Sequence, residues 1–462
     1  MTSRSARRNF LAALGGALGS STLLGGLAAV HSARASSSVG GYKALVCLYL
    51  TGGNDGFNWV VPLSPAAYAT YAWSRSTLAL APSSLLPLQG TASDGNVYGM
   101  HPGCPELQSL FNTGRAAVVC NVGPLVQPGT VAQARSASLP LPPQLFSHVD
   151  QSNEWMIATA QSPERYGWAG RIADLLTAQG GAANLAYNIS IGGANDWQAG
   201  WATNPYALGI GGAPATAVFE NLAYRGGGRA QAAQALLAQA AADPNLLVAG
   251  HAAIWQSAGA KAALVGSALA SAGDLATTFP PLPSGAANDS RLGLQLHEVA
   301  RVIKAQSRIG DARQMFFVGL GGFDTHEAQL GTQATLLAYV SRYVGAFWNA
   351  MAEINQQPNV TLFTIADFGR TLAPNNAGTD HGWGNHHLVL GGAVRGGRYY
   401  GTMPNLEIGG ADDFGQGRMM PTTSCDQYAA TLAAWFGVAA ADLATVFPNL
   451  PNFATANLGF LG

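Results

Sequence analysis

Five short runs of near-continuous apolar residues punctuate the chain, and each is closed by a turn-forming or charged residue. Residues 42–50 read YKALVCLYL and end in Thr51-Gly52-Gly53, and residues 116–122 end in Gly123-Pro124. Residues 314–320 end in Gly321-Gly322, residues 360–366 in Asp367, and residues 387–394 in Arg395-Gly396-Gly397. Runs of this length without polar alternation read as strands buried on both faces, the mark of a covered parallel sheet. Apolar positions recur at helical spacing over residues 291–307, 330–354 and 425–436. Strands alternating with helices predict an α/β fold: a mostly parallel central sheet with helices on both faces.

Between residues 180 and 290 the texture changes to Ala, Gly, Gln and Ser, with one strand-like run at 187–191. This stretch reads as a helical insertion or lid on a single α/β domain spanning residues 36–462. Residues 1–35 stand apart. Arg7-Arg8 precedes Asn9-Phe10-Leu11, a Gly-rich, weakly apolar stretch follows, and Ala33-Arg34-Ala35 closes it. A basic start, a short apolar region and an A-x-A site make a secretory signal, and the paired arginines point to the twin-arginine route. The expectation is a periplasmic or secreted protein that meets the twin-arginine translocase during export. No later stretch of 18 or more apolar residues exists, so no membrane span is expected in the mature form.

Charged residues make up 10% of the chain, against about 25% in ordinary soluble domains. With 48% apolar residues this excludes disorder. A formal charge of −1 and only three lysines argue against nucleic acid as a partner. The four cysteines, Cys47, Cys104, Cys120 and Cys425, have no zinc-site spacing; Cys47 and Cys120 fall in strand-like runs, and Cys104 is the one placed to bridge in an oxidising compartment.

In so uncharged a chain, the polar residues at strand ends stand out. The first strand leads to Asn54-Asp55, the third to Asp324-Thr325-His326, and the fourth to Asp367 and Arg370. Asp380-His381 and His386-His387 follow shortly after. Open α/β sheets bind ligands at the carboxyl ends of their strands. Aspartates and histidines gathered there suit divalent ions of the zinc, magnesium, manganese or calcium range. No G-x-G-x-x-G opens a helix, and no G-x-S-x-G or H-E-x-x-H segment is present, which sets aside dinucleotide, serine-hydrolase and zincin chemistry.

The segments LYLTGGNDGFNWVVPL, HPGCPELQSLFNTGRAAVVCNVG, FSHVDQSNEW, GGFDTHEAQ, ADFGRTLAPN, GTDHGWGNHHLVLGGAVRGG and PTTSCDQYAATLAAWFG together resemble the exported bacterial family called domain of unknown function 1501. That family is commonly grouped with the alkaline phosphatase and sulfatase superfamily. The resemblance implies an α/β/α fold and a bimetallic hydrolytic site acting on an anionic ester. It implies metal ligands at Asp55, Asp324, His326, Asp367 and His381, with Asp380 and His386 in or near the set and Phe368 standing where a histidine is usual. It implies a nucleophile at the start of a helix, where Ser147 lies, and Asn54 and Arg370 serve as candidate donors to the ester oxygens. No C/S-x-P-x-R segment is present, so a formylglycine sulfatase is not expected. The alternative is a catalytically degenerate secreted binding or scaffold protein of the same fold. Replacing Arg7-Arg8 with Lys-Lys is expected to trap the precursor in the cytoplasm, followed by fractionation and blotting; normal export of that variant would exclude the twin-arginine route.

Overall fold

The structure, a computed structural model, describes residues 41–159, 165–181, 183–212, 227–281 and 291–462. The signal at residues 1–35 lies outside the described residues. In chain order the strands are β1 (Lys43–Leu50), β2 (Val60–Pro62), β3 (Leu86–Pro87), β4 (Tyr98–Met100), β5 (Ala116–Gly123), β6 (Asn188–Ser190) and β7 (Tyr206–Ala207). They continue with β8 (Arg313–Leu320), β9 (Val360–Ala366), β10 (Arg370–Pro374), β11 (Thr379–His381), β12 (Asn385–Gly391), β13 (Tyr399–Tyr400) and β14 (Thr423–Ser424). The main sheet runs β13-β5-β12-β9-β1-β8-β6-β7, with β14 also beside β5; β10 and β11 form a separate ribbon.

The five apolar runs are the five long strands of this sheet. β1 is parallel to both β8 and β9, and β6 and β7 extend the sheet in the same sense. β12 is the exception, antiparallel to β9 on one side and β5 on the other. The side-chain period of two explains the two cores. Ala44, Val46, Leu48 and Leu50 of β1 face one core with Phe316 and Val318 of β8, covered by the helices Arg291–Lys304 and Gln329–Glu353. Leu45 and Cys47 face the other with Met315 and Phe317, covered by the helices Trp168–Ala178 and Cys425–Phe436. Both faces are apolar because both are covered, and that removes the polar alternation from the sequence.

Register sets the functional edge. Leu50 lies beside Leu320 on one side and Ala366 on the other, so the loops after β1, β8 and β9 begin at the same level. In the stretch 180–290 the strand-like run at 187–191 is β6, which joins the sheet with the unpredicted β7, and the helices Gly227–Ala241 and Leu246–Ala272 bear out its helical character. All four cysteines are buried and free, so Cys104 is a core residue here and forms no bridge.

Several ionisable groups are buried within this frame. His386 and His387 are neutral residues of β12 whose pKa values burial pushes down to about 3. The Asn121 amide donates to His386 Nδ1 at 3.1 Å, a bond that only the neutral ring can accept. Glu154, on the helix His148–Ile157, is 6% exposed and neither carboxyl oxygen has a partner among the described residues. Burial, with Asp150 adding to it, raises its pKa from 4.5 to about 9. A raised folded-state value gives stability that is complete below pH 4.5 and is lost as pH rises toward 9. Glu154→Gln keeps the uncharged form at every pH, so the urea midpoint of wild type is expected to fall relative to the variant between pH 4.5 and pH 8. Parallel pH profiles for the two proteins would refute a neutral buried Glu154.

Candidate functional site

Two glycines let the loop after β1 pass over the site. Gly52 (φ 110°) and Gly53 (φ 85°) lie in the left-handed region. A Cβ on Gly52 would meet the amide of Asp324, and one on Gly53 the ring of Phe368. The loops after β1, β8 and β9 therefore touch through bare backbone, and Asp324 sits at their junction.

Three imidazoles converge on the Asp324 carboxylate. His148 Nε2 lies 3.4 Å from Oδ2, while His326 Nε2 and His381 Nε2 lie 3.0 and 3.3 Å from Oδ1. His326 Nε2 and His381 Nε2 are 3.0 Å apart. The rings arrive from three places: His148 opens the helix His148–Ile157, His326 follows β8, and His381 ends β11. In each ring the other nitrogen is already engaged. His148 Nδ1 is 2.6 Å from Asp367 Oδ2, His381 Nδ1 is 2.7 Å from the Phe146 carbonyl, and His326 Nδ1 is 3.3 Å from Asp380 Oδ1. A partner that accepts at Nδ1 fixes the proton there and turns the Nε2 lone pair toward the centre, the usual second layer of a metal-ligating histidine. One ligand atom each from His148, Asp324 and His381 fits within a 4.8 Å cluster.

The surroundings hold these groups in place. Asp367 Oδ1 accepts from Tyr49 Oη at 2.5 Å and from the Gly52 amide at 3.2 Å. Phe146 adopts φ 73°, a costly conformation for a bulky residue, with its carbonyl on His381. Phe368 lies against both rings, 4.5 Å from His381 at an interplanar angle of 28° and 4.8 Å from His148. Arg370 is fully buried and donates from Nη1 to Asp324 Oδ1 at 2.7 Å and to the Gly52 carbonyl at 3.2 Å. Burial alone would raise the Asp324 pKa, but the Arg370 bond and charge, with His326 and His148, carry it below the usual carboxylate value. Burial lowers the His381 pKa, and His148 and Arg370 add to that effect. The carboxylate is ionised and the His381 ring neutral, the states that bind a cation.

Of the residues predicted from sequence, Asp324, His326, Asp367, Asp380, His381 and Arg370 meet here. Others do not. Asp55 pairs with buried Arg75, accepts from Gln329 Nε2 at 2.5 Å and receives the Phe57 and Asn58 amides, which leaves its carboxylate spent. It reaches the cluster through a relay: Thr379 Oγ1 donates to Gln329 Oε1 at 2.6 Å and receives from Arg370 Nε at 3.2 Å. Ser147 is a helix cap, donating to Asp150 Oδ2 at 2.5 Å and accepting from the Asp150 amide, so its hydroxyl is not presented as a nucleophile. His386 is buried in β12 with its ring edge against Phe57. Asn54 is fully buried with both side-chain amide atoms unpartnered among the described residues. The residue missed is His148. Its ring lies beside Asp367, and its signal in the sequence is the Ser147-His148 pair at a helix start.

The model of a family described as "Protein of unknown function (DUF1501)" matches residues 42–440. No curated protein matches. Among solved structures, "Crystal structure of Ps i-CgsB" is similar at 11% identity over 86% of this chain and 72% of that one, with a TM-score of 0.35. The same protein in complex with k-i-k-neocarrahexaose aligns at 10% identity over 87% and 74%, with a TM-score of 0.34.

Titration with zinc checks the arrangement. Asp367→Asn leaves all three proposed ligands in place and removes only the carboxylate behind His148, so affinity is expected to fall about 10–100-fold, as for other second-layer partners. His148→Ala is expected to fall further, whereas Ser147→Ala costs about 1 kcal/mol of helix capping and leaves affinity unchanged. Equal affinity in wild type and Asp367→Asn would exclude the role given to Asp367.

Proposed function

We propose that this chain, which belongs to the DUF1501 family of proteins of unknown function, is an exported metal-dependent hydrolase of a phosphate or sulfate ester. The observation that carries the proposal is the convergence of His148, Asp324 and His381 with their outer nitrogens and oxygens already spent. Imidazole nitrogens with one carboxylate and room for a further ligand suit zinc best and manganese next. Magnesium and calcium, which prefer all-oxygen sets, suit it less. A divalent ion held there supplies a Lewis acid for the ester oxygens and acidifies a coordinated water.

The chain's own residues do the rest. Asp367 and the Phe146 carbonyl orient His148 and His381, and Arg370 holds Asp324. Since Arg370 is buried and committed to Asp324, Gly52 and Thr379, it acts as a clamp on the ligand rather than a free donor to substrate. His326 is 42% exposed at its side chain and backed by Asp380, the pairing of a proton acceptor with its orienting carboxylate. It takes up the proton of the attacking water and returns it to the leaving oxygen. Phe368 excludes water from beneath the rings. The choice of a phosphate or sulfate ester rests on the family resemblance, and export rests on residues 1–35. The capped Ser147 favours water as the nucleophile. It also supports the second reading, a metal-binding protein without turnover.

Metal analysis of purified protein, paired with a screen of aryl phosphate, phosphodiester and sulfate esters, tests the proposal. Asp324→Ala and His381→Ala are expected to lose both metal and activity. His326→Ala is expected to keep its metal and lose about 10²–10⁴-fold in kcat, the usual worth of a general base. Full metal content in Asp324→Ala and His381→Ala would exclude the site; bound metal with no turnover of any ester would leave the second reading.

A further inference from the structure

Beside the cluster the sheet edge opens into a groove of about 650 Å³. Val149 and Met156 line it from the helix that begins with His148, Ile210 from the segment after β7, and Tyr49 and Phe317 from β1 and β8. Val149 is 69% exposed and Ile210 37%, so large apolar side chains stand in solvent on the walls of one concave surface. Isolated apolar residues on a convex surface need no explanation, but apolar residues lining a cleft beside convergent polar groups mark a binding site. The charged side chains among the lining residues are Asp196 and Arg291, one of each sign. Among the described residues, then, the groove has no surplus of positive charge for a second anionic group.

Tyr49 joins the groove to the cluster. Its hydroxyl donates to Asp367 Oδ1 at 2.5 Å and lies 2.8 Å from Ser152 Oγ, while Asp367 holds His148 through its other oxygen. Thr51, also in the lining, accepts from the Phe323 amide one residue before Asp324. A molecule seated in the groove lies against Tyr49 and Val149, the first bonded to Asp367 and the second next to His148 on its helix.

We infer that this groove receives the alcohol part of the substrate, and that this alcohol is an uncharged organic group of ring size or larger with an apolar face. The inference rests on the hydrolase reading and names its substrate class. The anionic ester group lies at the histidines and the neutral alcohol runs across Tyr49 into the groove. Esters whose alcohol is small or itself anionic are poor substrates, because they leave the apolar walls wet or bring charge against them.

Binding of 4-methylumbelliferone at pH 6.5, followed by fluorescence, tests the groove without turnover, and hydrolysis of 4-methylumbelliferyl esters against methyl phosphate tests its use. Val149→Asp is the informative variant: an exposed residue in a first helical turn, where an acidic side chain is well tolerated. It is expected to weaken binding of the alcohol and to raise KM for the aryl ester about tenfold, the lower range for a lost apolar pocket contact, with zinc content unchanged. Ile210→Asp is expected to act the same way. Failure of wild type to bind the alcohol, or equal binding by wild type and both variants, would overturn the inference. Binding that depends on Val149 in a protein that hydrolyses no ester would uphold the groove and remove the hydrolase reading alone.

Discussion

A guanidinium with no access to water must be surrounded by oxygens, and those around Arg370 come from three separate stretches of chain. Gly52 supplies a carbonyl from the loop after β1, Asp324 a carboxylate from the loop after β8, and Thr379 both its hydroxyl and its carbonyl from β11. An unpaired charge in this position would be very costly, so none of the three stretches is free to move off without the others. The positions of His326 and His381 follow from that constraint, since one is two residues beyond Asp324 and the other two beyond Thr379. The second buried pair, Arg75 with Asp55, is tied into the same network through Gln329. In a chain this poor in charge, the buried arginines work as fasteners between loops.

The sheet was legible in the sequence because its strands are buried on both faces, so their apolar runs survive without any partner being known. The long helices were legible through their spacing. β6 was legible as the strand-like run at 187–191, but β7 was not: its two residues carry too little pattern among Ala- and Gly-rich surroundings. The reversal of β12 left no mark, since direction within a sheet is set by connections rather than by composition.

The site was legible by residue type and strand-end position, and less so by role. Asp324, His326, Asp367 and His381 are where polar residues at strand ends should be. Asp55 has the same kind of position, yet Arg75 lies 20 residues further on and only the folded chain shows that it takes the carboxylate. Ser147 looks like an anion-binding helix start until its hydroxyl is seen to close on Asp150. His148 depends on the packing of its helix against the loop after β9, a contact 219 residues apart in sequence. Such pairings are invisible to spacing because no local rule produces them.

The reversed direction of β12 has a consequence for how the molecule reaches this state. Because β12 runs against β9 and β5, its beginning lies at the edge where β1, β8 and β9 end. The ribbon that precedes β12 therefore delivers His381 to the same place as loops that follow the other strands. Assembly of that edge needs parallel crossovers and an antiparallel return together, with contacts spanning most of the chain, and loop-closure entropy makes such contacts late arrivals in folding. Interactions formed after the rate-limiting step act on escape from the native state rather than on entry to it. An ion lodged among these histidines would thus slow unfolding and leave the folding rate nearly untouched.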